Sequence, residues 1–401
     1  GSKEPMHIPL KVGLIGANGD ELPLKLNGEL VPDGLLEVTD REQIFEFEDI
    51  PAPPTPSILR DFSAPVRVTT SLKPEQIEFL MVHDSDPFNR WQAAQTYATD
   101  LIAAASRDGL DAEAVSGPQA TRLAQALEPT LRDETLAPTY RAETLKLPSE
   151  SDIARELARN VDTDAILVAR NTLRATLSAG MADTLSDIYQ RNATQGPYSP
   201  DPESAGLRAL RNAALDLIAA TGTDDAIDLA FQHYRSATNM TDSIMALSTL
   251  SHIPSDACDE ALHDFYTRWE NDPLVLDKWF AVQARAGRPD SVETVRRLLG
   301  HPKFSLKNPN RVRALIGSFA MANPSGFNRA DGAGYDFLAE QALEIDGFNP
   351  HVAARLLGAF ESWKTLELGR QSRAKKALQS LSSASLSTDA YEIVTKTLGG
   401  N

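Results

Sequence analysis

Histidines are the natural first place to look for chemistry, and this chain has seven: His7, His83, His233, His252, His263, His301 and His351. An imidazole acts as a zinc ligand or a general base only when partners lie at suitable spacing. None of the seven sits in an H-E-x-x-H sequence, which would place two imidazoles one helical turn apart around a metal. His252 and His263 flank the single cysteine, Cys258. A metal site there competes with the plainer reading of two histidines on helix surfaces. The chain also lacks a G-x-S-x-G elbow, a phosphate-binding Walker loop and a Rossmann fingerprint. "DGAGYDF" (Asp331 to Phe337) reads either as a small anion nest before a helix or as a glycine-rich turn. Carboxylates are too numerous for any pair to be singled out as an acid and a base. By its residues alone the chain has no recognisable catalytic apparatus.

What remains are polar and cationic groups at helix starts. In "NPNRVRALIGSF" Asn308 suits an N-cap and Pro309 is preset for the first helical position. Val312, Leu315, Ile316 and Phe319 then repeat at the spacing of a buried helical stripe. Arg311 and Arg313 sit against the positive end of that helix, a placement disfavoured by about 0.3–1 kcal/mol when exposed. Arg355, in "NPHVAARLLGAF", follows the same Asn-Pro start, with His351 beside it. Guanidinium groups suit two-point binding of carboxylates, so a concave wall carrying them could receive an acidic group or a peptide C-terminus. Pairing with carboxylates on a neighbouring helix is the competing account. Asn239, Thr241 and Asp242 in "SATNMTDSIMAL" read as a loop and cap, and Asp277 and Lys278 in "PLVLDKWFAVQA" as a local charge pair beside core aromatics.

The elements that must position these groups fall into two kinds. The first seventy or so residues alternate as strands do. His7–Ile15, Leu22–Leu26, Leu35–Val38, Gln43–Phe47 and Val66–Thr70 are the candidates, with a tight hairpin at "ANGDE". The proline cluster from Pro51 to Ser57 reads as a stiff irregular connection. After Ser71 the pattern turns helical and stays so. Stripes such as Phe88, Trp91, Ala94, Ala98, Leu101 and Ile102, or Leu207, Leu210, Ala214, Leu217 and Ile218, mark amphipathic helices. A capping residue followed by proline recurs at Asp86, Asp272, Asn308, Asn323 and Asn349. Recurrent helices without intervening strands and without a strict period predict a mainly α chain. The expected architecture is a small immunoglobulin-like β-sandwich over residues 1–72, then an irregular α-solenoid over 73–401.

Composition narrows the partners. Asp and Glu number 56 against 39 Lys and Arg, a formal charge of −17. Such a surface repels phosphate backbones and anionic lipid, which excludes general nucleic-acid and membrane binding. One cysteine permits no intrachain disulfide and suits the cytoplasm. No apolar run reaches the ~18 residues that span a bilayer. The triplets at Asn192 and Asn239 read as chance matches to a glycosylation sequence, and Gly1-Ser2 as a tag remnant that hides the natural start.

Several of these stretches, in this order, resemble the C-terminal half of the bacterial aminopeptidase N family, zinc-dependent alanyl aminopeptidases of the gluzincin clan. They are "HIPLKVGLI", "FSAPVRV", "FLMVHDSDPFNRWQAAQ", "TNMTDSIMALS", "LVLDKWFAVQA", "ETVRRLLGHPKFSLKNPNRVRALIGSFA" and "DGAGYDFLAEQALEIDGFNPHVAARL". The resemblance implies a sandwich and a helical superhelix that caps the catalytic cleft and encloses a cavity for peptide substrates. It implies that Arg313 and Arg355 line that cavity, with His351 on the same helix start and Arg311 nearby. His351 stands where the family is expected to carry glutamine. The zinc motif and the G-x-M-E-N motif of the family are absent, so zinc belongs to the catalytic domain, and this portion alone is expected to be inactive. Its partners would be peptides and the N-terminal and catalytic domains of the same polypeptide. A stand-alone solenoid that binds a protein segment, and a lid with no ligand contacts, are the two alternatives.

Overall fold

Strand Ile8–Ile15 organises the N-terminal part of the computed structural model, which describes residues 4–107, 111–193 and 196–399. Its first half pairs antiparallel with Leu35–Val38, and its second half with Glu21–Leu22 and Thr55–Ile58. The expected hairpin is present: Leu14 faces Leu22, and Gly16 N–H donates to the Asp20 carbonyl at 2.8 Å. Gly19 supplies the turn with a φ of 84° that suits residues without a Cβ. A second pair, Lys25–Leu26 with Glu29–Leu30, lies over the first, and Val12, Leu14, Leu24 and Leu36 are buried between them.

Three strand expectations are corrected. Leu22–Leu26 is interrupted at Pro23 and Leu24, and its ends belong to two different strands, Glu21–Leu22 and Lys25–Leu26. Gln43–Phe47 contributes only an isolated bridge, Leu26 to Phe47, and Val66–Thr70 is not a strand. The proline cluster instead contains one, Thr55–Ile58. Pro56 is tolerated because this strand pairs with a single neighbour at the sheet edge, where a missing N–H breaks no second ladder. Gly1-Ser2 and the Thr194 end of the first glycosylation-type triplet lie outside the described residues.

From Pro74 onward the described chain is helical. The cap-plus-proline signals all begin helices. Asp86, Asp272, Asn308, Asn323 and Asn349 each accept a backbone N–H of the helix that follows them. Stripe residues Ala98, Ile102, Leu210 and Ala214 are at most 1% exposed, within one continuous core. The result is mainly α: a small β-sandwich followed by a long irregular solenoid.

Arg60, which no sequence pattern marked, joins the two parts. Its guanidinium donates to Ser57 Oγ at 2.8 Å, Glu21 Oε1 at 2.5 Å, Asp84 Oδ1 at 3.0 Å and Ser85 Oγ at 3.1 Å. Asn89 from the solenoid reaches back to Ser57 Oγ and the Ile58 carbonyl. The chain around Arg60 is held in the left-handed region at Leu59, Asp61 and Phe62 (φ 64°, 53° and 51°), a strain that persists only where surrounding contacts over-determine it.

Candidate functional site

The helix opening at Asn308 is built as its sequence requires. Asn308 Oδ1 accepts the N–H groups of Asn310 and Arg311, and Pro309 occupies the first position. Val312, Leu315, Ile316 and Phe319 are all 0% exposed, which fixes the rotation of the helix. The helix is not uniform, however. Arg313–Gly317 forms a π-turn, in which Ser318 N–H donates to the Arg313 carbonyl five residues back. Such single wide turns recur at functional sites, and no residue pattern in the sequence announces this one.

The arginines at this opening have different fates. Arg311 is 6% exposed; its Nη1 donates to Asp277 Oδ1 at 2.6 Å, and its guanidinium lies 5.2 Å from the Phe280 ring centre. Burial pushes the Asp277 carboxyl above the usual aspartate range, while Arg311 and Arg313 pull it back. Arg311 is thus committed to an internal pair, as the competing sequence account held. Asp277 was expected to pair with Lys278. Adjacent residues on a helix point in different directions, and its partner is Arg311 instead. Arg313 is exposed, with Nε donating to the Pro309 carbonyl at 3.2 Å and Nη2 to Asn310 Oδ1.

On the second helix start, Asn349 Oδ1 accepts Val352 N–H at 3.3 Å, and His351 and Arg355 are both exposed. The two helices adjoin: a Cβ built on Gly317, one turn past Arg313, would stand 3.8 Å from Leu356 Cδ2. Arg313 and Arg355 are therefore exposed residues on two helices that touch at Gly317 and Leu356, while Arg311 faces inward.

His301 was not singled out in the sequence. It stands among Tyr266, Trp279 and Phe280, with ring centres 5.0 to 5.6 Å away, and supports the loop leading into Asn308. Burial and the cations Arg297, Arg311 and Lys303 depress its basicity.

The remaining sequence candidates resolve as structure. Asn239 caps its helix, and Asp242 is buried, accepting Asn212 Nδ2 and Asn239 Nδ2 at 2.8 Å each. Asp331 Oδ1 accepts Ala333 N–H and pairs with Arg329, so a carboxylate already holds the "DGAGYDF" turn. Among the described residues no group of three or more His, Cys, Asp or Glu comes together as a metal site. Cys258 is buried and its thiol is pushed up to about 11, which disfavours the thiolate a metal needs. The described residues do not fit the zinc implied by the family resemblance.

Comparison with known proteins adds the following. Residues 1–71 match a family model described as a domain of unknown function (DUF3458) with an Ig-like fold, and residues 74–399 one described as DUF3458_C, ARM repeats. The chain is 37% identical over 397 residues to aminopeptidase N of Escherichia coli, covering 99% of this chain and 45% of that protein. It is 38% identical over 382 residues to aminopeptidase N of Caulobacter vibrioides, covering 94% of this chain and 43% of that one. A crystal structure of Legionella pneumophila aminopeptidase A in complex with aspartic acid superposes with a TM-score of 0.84 at 30% identity, over 98% of this chain and 45% of that chain. The chain spans a little under half the length of these relatives.

Proposed function

Because this chain belongs to the bacterial aminopeptidase N family, corresponding to its Ig-like and ARM-repeat C-terminal portion, we propose that it caps the peptide cavity of a cytoplasmic zinc aminopeptidase and lines part of its wall. In this reading residues 1–72 link the catalytic domain to the superhelix, and 73–401 form the cap. Hydrolysis belongs to the metal-bearing part of the enzyme. This portion supplies closure and peptide contacts, and so acts on KM for longer substrates more than on the chemical step.

The observation that supports this best is the division of labour among the arginines. Asp277 neutralises Arg311, while Arg313 and Arg355 stay exposed on two helices that touch at Gly317 and Leu356, in a chain with a charge of −17. Exposed guanidinium groups are suited to a peptide carboxylate. His351, exposed on the Arg355 helix start, is a further candidate contact. Calorimetric titration of the chain with short unmodified peptides, repeated with Arg313→Ala plus Arg355→Ala, tests it. The expected result is binding that the double substitution weakens. Binding unchanged by the double substitution removes the arginines from the wall. No binding by the folded wild-type chain leaves it a lid whose ligand surface forms only against the catalytic domain.

A further inference from the structure

We propose that Arg370 is a latch that closes this stretch of the solenoid into a ring, making the helices Thr163–Gly180 and Leu368–Ser382 open and close as one unit. An ordinary solenoid is quasi-one-dimensional: each repeat touches its neighbours, and its ends are independent. Here the chain leaves the helix Thr163–Gly180, runs through the helices between Ala182 and Ala322, and returns to the helix where it left. The helix Pro324–Phe327 packs on Thr163–Gly180. Val161 and Leu366 form a parallel bridge, with Val161 N–H donating to the Thr365 carbonyl at 2.9 Å and Glu367 N–H to the Val161 carbonyl at 3.0 Å.

Arg370 holds this seam. It is 3% exposed. Its Nη1 lies 3.1 Å from Asp162 Oδ1 and its Nη2 2.5 Å from Asp164 Oδ2, a contact across 206 residues of sequence. Its Nε donates to the Asn328 carbonyl at 2.6 Å, and Glu367 Oε1 lies 3.5 Å from Nη1. Asp162 and Glu367 are also the caps of their respective helices. Two positive helix ends therefore meet, each neutralised by its own carboxylate, and one guanidinium spans both.

The approach to the seam carries strain. Ala158 and Asn160 have φ of 59° and 53°, conformations costly for residues with a Cβ, and they turn the chain so that Val161 enters the bridge. A cavity of about 590 Å³ straddles the seam, with Arg155 and Thr163 on one side and Phe327, Glu361 and Thr365 on the other. Thr163 is 3% exposed and its Oγ1 has no partner within the protein.

Arg370→Met keeps the apolar stem and removes the charge, so it is the direct test. Hydrogen exchange in the full chain should show the Val161 and Glu367 amides exchanging at least tenfold faster, with amides in the β-sandwich unchanged. Exchange at both amides equal to the wild type overturns the latch. Should the variant fail to fold, the wild type still decides the matter through native-state exchange in graded denaturant. The inference requires the helices Thr163–Gly180 and Leu368–Ser382 to merge into one opening event. Separate opening of the two helices overturns it.

Discussion

Asp277 Oδ1 accepts Arg311 Nη1 at 2.6 Å, joining two helices that are 34 residues apart in sequence. Both side chains are largely withdrawn from water, at 7% exposed for Arg311 and 20% for Asp277. A buried pair of this kind contributes little net stability against an apolar replacement, yet losing one partner strands the other. Arg311→Met should therefore destabilise the chain by about 2–4 kcal/mol, whereas Asp277→Leu combined with Arg311→Met should cost clearly less than the two single changes added together. Urea unfolding of the four proteins measures the coupling. Strict additivity would mean that the pair is not an energetic unit.

Gly13 makes a second prediction, at the joint between sandwich and solenoid. A Cβ there would overlap Cζ, Nη1 and Nη2 of Arg60. The guanidinium cannot move away without releasing Glu21 and Asp84, and Asp84 is only 1% exposed. Gly13→Ala should cost about 3 kcal/mol or more, the range for breaking a buried charged network. Gly358→Ala is the control: its added Cβ meets nothing within 4 Å and its φ of −58° is ordinary, so a change of under about 1 kcal/mol is expected. Equal effects of the two substitutions in denaturant unfolding would refute the packing argument.

These two sites show where the sequence is readable. Local rules sufficed for the helices, because a capping side chain and a proline act within one turn of each other, as at Asp272 and Asn349. They sufficed for the central strand and its hairpin for the same reason. They failed at Thr55–Ile58, where partnership with the strand Ile8–Ile15 overrides the proline signal. Arg60, Asp277 and Arg370 were out of reach because the partners that join them to other elements lie 24 to 206 residues away, with no periodicity connecting them. The π-turn at Arg313 likewise leaves no mark in a stripe of fully buried residues that an unbroken helix would also show.

The caps of the two arginine-bearing helices should differ little in value. Asn308 Oδ1 accepts two N–H groups, at 3.0 and 3.3 Å, and Asn349 Oδ1 accepts one at 3.3 Å. Asn308→Ala and Asn349→Ala should each cost about 1 kcal/mol, the former slightly more. Thermal unfolding gives the totals, and faster exchange of the Arg311 and Val352 amides would localise each loss. A variant with unchanged exchange at its own helix start would show that the cap is redundant there.

His233 gives the chain a pH dependence whose sign follows from its surroundings. It is 2% exposed, with Tyr189 Oη 3.0 Å from Nδ1 and Asp242 Oδ1 4.0 Å from Nε2. Burial, aided by Arg211 and opposed by Asp242, pushes its pKa down to about 4. In the unfolded chain the imidazole titrates near 6.5. Between those values the unfolded chain binds a proton that the folded chain does not. The contribution is therefore fully present above about pH 6.5 and is lost as pH falls toward about 4, a span of roughly 3 kcal/mol. Denaturant midpoints measured across that window should fall in the wild type and fall less steeply in His233→Gln. Parallel slopes in the two proteins would assign the acid sensitivity to carboxylates instead, and would mean that the His233 pocket admits the charged ring.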